Sequence, residues 1–202
     1  MSHVTAQETI LGELKKVLAG EDGLTESTSL TATKISETLD LEEHQLINLE
    51  RCLMEAARID PPLPVTTVHT TTEDVKLVDG QRIAKGTDFL IDLYALHRDA
   101  SQYHEPDKFR PERFSKKSNI YLTPGNQQRH KLSWCPFMTG HRQCNGKELA
   151  FTNAKTIISL YLAAMPELAI SEPAKYKTAG LPSSVAESKA TVDCLTRLPL
   201  QI

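Results

Sequence analysis

The stretch Cys135–Ala150, CPFMTGHRQCNGKELA, constrains this chain more than any other. It sets Gly140 and Gly146 around Cys144 and then enters the longest amphipathic run, from about Asn145 to Ala164, with Leu149, Ile157, Ile158 and Leu160 read as its buried side. A cysteine at that junction meets free backbone N–H groups and the positive end of a helix dipole, which stabilise a thiolate. The glycines permit tight turns and let a flat ligand approach the backbone. Arg142 supplies a fixed planar cation two residues from the thiol, suited to a carboxylate. Cys135 precedes Pro136 in an apolar stretch with Trp134 and Phe137, and reads as a buried, inert thiol.

Size and composition bound the remainder. A chain of 202 residues buries a core as one domain, or as part of a larger one. A net charge of -3 points away from nucleic acid. The cysteines Cys52, Cys135, Cys144 and Cys194 form no disulfide-like framework and follow no secretion signal, so a reducing, intracellular setting is expected. No apolar run reaches bilayer length, and no membrane anchor is expected in this chain. Between Lys108 and Lys147 there are nine Lys or Arg against Glu112 alone, whereas the first sixty residues carry an acidic excess. That basic face reads either as a docking surface for an acidic partner or as a solvated face.

Along the chain, Thr5 with Glu8 reads as a capping box for a helix carrying Ile10, Leu11, Leu14, Val17 and Leu18 on one stripe, closed by Gly20. A Thr/Ser-rich linker, Thr25–Thr31, leads to a weaker helix near Ile35 and Leu39. Asp40 and Glu43 open a further helix with Leu46, Ile47, Leu49, Leu53 and Met54, stopped by Asp60-Pro61-Pro62. Alternation then takes over: Val75, Leu77, the Asp79-Gly80 turn and Ile83 predict a hairpin, and Phe89-Ile91-Leu93 a strand after Lys85-Gly86. Residues 99–131 show little periodicity, as a functional or partly disordered segment does. Short strands near Leu168 and Val192, with a loop at Gly180–Ser184 between them, complete a mainly helical α+β chain.

A thiolate, a close-approach surface and a carboxylate clamp together fit a haem with its propionates. The pattern Phe137-x-x-Gly140-x-Arg142-x-Cys144-x-Gly146 resembles the haem-binding loop of the haem-thiolate monooxygenases, the cytochrome P-450 family. Glu55-x-x-Arg58, followed by Ile59-Asp60-Pro61-Pro62, resembles the family's Glu-x-x-Arg helix and its proline exit. Pro111-Glu112-Arg113-Phe114, after Ala95-Leu96-His97-Arg98-Asp99 and Glu105-Pro106-Asp107, is similar to the segment leading into the family's meander.

The resemblance implies the C-terminal, proximal portion of the cytochrome P-450 fold over residues 1–202: helices over 1–60, a small sheet over 61–98, meander and haem-binding loop over 99–144, long helix and terminal strands over 145–202. It implies haem b as cofactor, held by Cys144 as axial ligand to iron, and Phe137 packed beside it to tune the sulfur. Gly140 and Gly146 would shape the loop, Arg142 would pair with one propionate and His69 with another. Glu55, Arg58 and Arg113 would form a buried salt-bridge cluster under the loop, the alternative being a helix-surface pair and an unrelated exposed arginine. Leu63–Thr67 and Gly180–Ser184 resemble segments that contact a small apolar substrate. Arg129, Lys131 and Lys147 would lie on the proximal side, where a flavoprotein reductase or ferredoxin delivers electrons. The family's long distal helix is expected ahead of Met1, which leaves a non-catalytic haem-binding or interaction fragment as the alternative to a monooxygenase.

A structural zinc clip from His130, Cys135, His141 and Cys144 is a remote third reading, since all four are acceptable ligands. His97 and Asp99 read as turn-fixing residues that contact backbone. His3 and His44 read as exposed, and the tyrosines show no stacking pattern.

Overall fold

In the computed structural model, residues 3–19 and 46–164 are described. They divide between two compact units: the first takes the described parts of Met1–Pro64 and Asp92–Leu168, and the second includes Val65–Ile91. The weaker helix near Ile35 and Leu39, the Asp40/Glu43 cap, the strands near Leu168 and Val192 and the Gly180–Ser184 loop all lie outside the described residues.

Four described helices belong to the first unit: α1 (His3–Ala19), α2 (Ile47–Ile59), α3 (Leu93–Leu96) and, after the Cys144 loop, α4 (Lys147–Ala164). The helix α1 begins at His3, so Thr5 lies inside it rather than capping it. Ile10 and Leu14 from α1, Leu49 from α2, Leu162 from α4 and the preceding Leu46 form the buried apolar cluster. Leu46 offers α2 no side-chain cap. Glu13 of α1 does so instead: its carboxylate accepts the N–H groups of Asn48 (3.0 Å) and Leu49 (3.2 Å), placing negative charge at the positive end of α2. Asp60 follows Ile59 with its N–H donated to the Ala56 carbonyl, and Pro61 and Pro62 end the helix.

The long helix α4 corrects half of the sequence reading of its buried side. Ile158 and Leu160 pack against the core cluster as expected, but Leu149 and Ile157 are more than half exposed, and Lys155, Ser159 and Leu162 are buried. The helix carries apolar residues around most of its circumference, so apolarity alone does not select a face. The Lys155 Nζ to Glu50 Oε2 ion pair, 2.6 Å, does select one, because it ties α4 to α2.

The second unit holds two antiparallel ribbons. β1 (His69–Thr70) pairs with β4 (Asp88–Phe89), and β2 (Val75–Lys76) pairs with β3 (Arg82–Ile83), with Val75 opposite Ile83. Gly80 takes φ +90° at the turn, a conformation that a side chain disfavours. The strand expected over Phe89-Ile91-Leu93 ends at Phe89. Leu93 opens α3 because Asp92 caps it, its Oδ1 accepting the Ala95 N–H at 2.8 Å.

From α3 to the Cys144 loop the chain is held by turns and two 3₁₀ segments, Pro111–Phe114 and Gly140–Arg142. Among the described residues no helix is long and apolar enough to cross a membrane.

The buried arginine cluster and the Cys144 loop

Glu55 and Arg58 stand three residues apart on one face of α2, and both side chains are fully buried. Arg58 grips the carboxylate with two donors, Nε to Oε2 at 2.8 Å and Nη2 to Oε1 at 2.9 Å. Arg113, from the Pro111–Phe114 turn, is also fully buried and donates Nε to Glu55 Oε1 at 2.9 Å. The Arg110 backbone N–H adds a bond to the same oxygen at 2.8 Å. The carboxylate is therefore saturated, as a buried anion requires.

More positive than negative charge is buried here, and backbone carbonyls absorb the surplus. Arg58 Nη1 donates to the His97 carbonyl at 2.8 Å. Arg113 donates to the carbonyls of His104 (2.8 Å), Lys108 (3.1 Å) and Glu105 (3.2 Å). Burial lowers the pKa of Arg113, and the Glu55 carboxylate opposes that shift. In this way one helix turn and one 3₁₀ turn fasten an irregular segment that has no ladder of its own.

Sequence reasoning missed the floor of this cluster. Tyr103 is buried, with the guanidinium carbons of Arg58, Arg129 and Arg113 at 5.0, 5.2 and 5.7 Å from its ring centre. Its hydroxyl donates to the Ser133 carbonyl at 2.9 Å, which connects the cluster to the segment entering the Cys144 loop. Arg129 consequently leaves the expected basic face. It is half-buried, donates Nη2 to the Arg113 carbonyl at 2.6 Å, and also lies against Phe114 and Tyr121. No local pattern marks Tyr103, because its partners come from three separate segments.

The loop itself is shaped by backbone bonds. The Cys144 N–H donates to the Phe137 carbonyl at 2.8 Å, and the Met138 N–H to the Cys135 carbonyl at 2.9 Å. Gly140 adopts φ +71°, where a side chain would be strained. A Cβ at Gly146 would stand 3.7 Å from Cys144 Sγ, so this glycine leaves that flank of the sulfur bare. Arg142, like Cys144, is exposed. Phe137 lies 5.6 Å from Phe151, ring centre to ring centre, and both line an open apolar cavity of about 300 Å³ with Ala150, Ala154 and α2 residues Leu53 and Ala57.

The three described cysteines differ. Cys52 is half-buried, and burial followed by the charges of Glu13, Glu55 and Glu112 pushes its thiol up to about 11. Burial also raises Cys135, whose Sγ donates to the Leu132 carbonyl at 3.2 Å. Cys144 alone among them is exposed. His130, Cys135, His141 and Cys144 do not converge: among the described residues no group of three or more His, Cys, Asp or Glu is placed to hold a metal ion, which removes the zinc clip. His69 belongs to the second unit, where its ring stacks on Phe89 at 5.5 Å and its buried Nε2 has no partner among the described residues.

Comparison with known proteins assigns the family. The cytochrome P450 family model matches residues 1–165. Human cytochrome P450 4V2 is 38% identical over 115 residues, covering 56% of this chain and 20% of that protein. Salutaridine synthase from Papaver somniferum is 36% identical over 129 residues, covering 64% of this chain and 24% of that protein. A zebrafish cytochrome P450 structure with abiraterone superposes with a TM-score of 0.59 at 27% identity, covering 80% of this chain and 32% of the other. The chain belongs to the cytochrome P450 family, and its architecture is a partial P450 fold. It spans roughly a fifth to a quarter of the curated relatives it matches.

The family's cofactor is haem, and the residues present fit one. An exposed thiol with a bare flank, an exposed guanidinium two residues away and an adjoining aromatic-lined cavity supply donors and surface of the right kind.

Glu55→Ala should lower stability by about 3–5 kcal/mol in denaturant unfolding, because it strands two buried guanidinium groups. Arg110→Ala, which breaks the exposed pair to Glu105 and the half-buried pair to Glu112 but keeps the backbone bond to Glu55, should cost about 1 kcal/mol or less. Equal losses in the two variants would contradict this assignment.

Proposed function

We propose that this chain forms the thiolate-bearing part of a haem-dependent monooxygenase, with Cys144 as the axial ligand to the iron of haem b. The observation that carries the reading is the exposed Cys144 thiol, presented on a backbone-fixed loop with Gly146 against its sulfur, in a chain of the cytochrome P450 family. Bound haem would supply the redox chemistry of a monooxygenase, in which dioxygen, two electrons and two protons give one oxygen atom in the substrate and one molecule of water.

The chain's own residues then have definite tasks. Cys144 would hold the iron through its sulfur, which as a thiolate would donate electron density to the metal. Arg142 offers a planar donor pair to a propionate. Phe137 contributes its carbonyl to the Cys144 N–H and its ring to the apolar cavity. Gly140, at positive φ, gives the loop its path, and Gly146 leaves its flank of the sulfur without a side chain. For His69 the support is its own buried Nε2, which has no hydrogen-bond partner among the described residues. Glu55, Arg58 and Arg113 hold the scaffold from which the loop is hung.

Haem loading followed by the reduced, carbon monoxide-bound absorption spectrum tests the ligand directly. A red-shifted thiolate-type Soret band is expected in the wild type and in Cys135→Ser, and its loss in Cys144→Ser. The same band in Cys144→Ser would remove Cys144 from the site.

Electrons would come from a flavoprotein reductase or a ferredoxin. The support is the exposed Lys116, Lys117 and Lys131, which remain once Arg113 and Arg129 are assigned to the interior. Lys131→Glu should slow reduction at low salt, and raising the salt concentration should erase the difference. A reduction rate indifferent to both would rule out steering by this face.

A further inference from the structure

The Glu55 cluster and the Cys144 loop are joined by a run of hydrogen bonds that passes through one side chain. Arg58 Nη1 donates to the His97 carbonyl at 2.8 Å. The His97 imidazole Nε2 accepts the Cys135 N–H at 3.0 Å. The Cys135 carbonyl accepts the Met138 N–H at 2.9 Å, and the adjoining Phe137 carbonyl accepts the Cys144 N–H at 2.8 Å. His97 is fully buried at the end of α3, and no other side chain among the described residues is given a bond to the Cys135 amide.

We propose that His97 is a positioning residue for the Cys144 loop, acting as a neutral imidazole whose Nε2 anchors the loop entrance at Cys135, and that its protonation releases that anchor. The proposal rests on the reading of Cys144 as the haem ligand only for its functional consequence; the anchoring concerns this chain alone.

Acceptance at Nε2 requires the ring proton on Nδ1. That Nδ1 is buried, with the Arg58 backbone, which favours a proton on the ring, as its neighbour. Protonation would turn Nε2 into a donor facing the Cys135 N–H, itself a donor, and the bond would be lost. The charged groups facing His97 are Arg58 from α2 and Arg98 from its own turn, both cationic, while Cys135 from the loop presents a neutral thiol. Burial first, then Arg58, lower the imidazole pKa from 6.5 to about 4. The sign follows from linkage: the neutral ring's contribution is complete above 6.5 and is lost as pH falls toward about 4.

The experiment follows exchange protection of the Cys135 amide by NMR from pH 7 to pH 3 in the full chain without haem. The wild type should lose protection roughly tenfold as His97 titrates, the equivalent of one hydrogen bond. His97→Gln keeps an acceptor but does not titrate, so its protection should be independent of pH. His97→Phe should lack the protection at every pH. Wild-type protection in His97→Phe at pH 7, or the same acid loss in His97→Gln, would overturn the proposal. If His97→Phe does not fold, the comparison of wild type with His97→Gln decides alone. In the haem-loaded protein, the acid midpoint for losing the thiolate-type Soret band should lie lower in His97→Gln than in wild type. Equal midpoints would overturn the functional consequence. A thiolate-type band surviving in Cys144→Ser would instead defeat the haem reading and leave the amide-exchange result untouched.

Discussion

The carboxylate of Glu55 is the constraint on which the first unit depends. A fully buried anion must be satisfied completely, and this one accepts from Arg58, Arg113 and the Arg110 backbone. Each guanidinium then has donors left over, and those donors reach the carbonyls of His97, His104, Glu105 and Lys108. The result is a rigid junction between a regular helix and a segment with almost no regular structure. Tyr103 completes it: its ring attracts the surplus cations and its hydroxyl bonds Ser133.

The Cys144 loop takes its position from that junction. The loop's own bonds, Met138 to Cys135 and Cys144 to Phe137, fix its shape but not its place. Its place comes through the Cys135 N–H on His97, the Tyr103 hydroxyl on Ser133 and the Trp134 Nε1 on the Met54 carbonyl at 3.0 Å. The segment from Ser133 to Cys135 is thus held from α2, α3 and the meander together. The exposed thiol follows at the edge of this rigid body, while Cys52 and Cys135 stay neutral within it.

Some of this was legible in residue order and some was not. The three-residue spacing of Glu55 and Arg58 places both on one helical face by geometry alone. The glycines around Cys144 announced a loop whose backbone must take φ beyond the reach of most residues, and Gly140 does. Arg113, 58 residues from Glu55, could be paired with it only through family resemblance. Tyr103, Arg129 and the Glu13 cap of α2 carry no local signal, because each gains its role from partners distant in sequence. The misread face of α4 has the same origin: a helix apolar on most sides is oriented by a charged residue, Lys155, that its apolar pattern would have placed outside. The cap at Asp92 is masked in the sequence by the alternation of Phe89, Ile91 and Leu93.

The most direct test of the central claim, that one buried carboxylate organises both the meander and the Cys144 loop, is hydrogen–deuterium exchange of Glu55→Gln against wild type under conditions where both are folded. The account predicts coordinated loss of protection in residues 97–114 and 133–144, with α1 unchanged. Loss confined to the last turns of α2, with the Cys144 loop protected as in wild type, would contradict it.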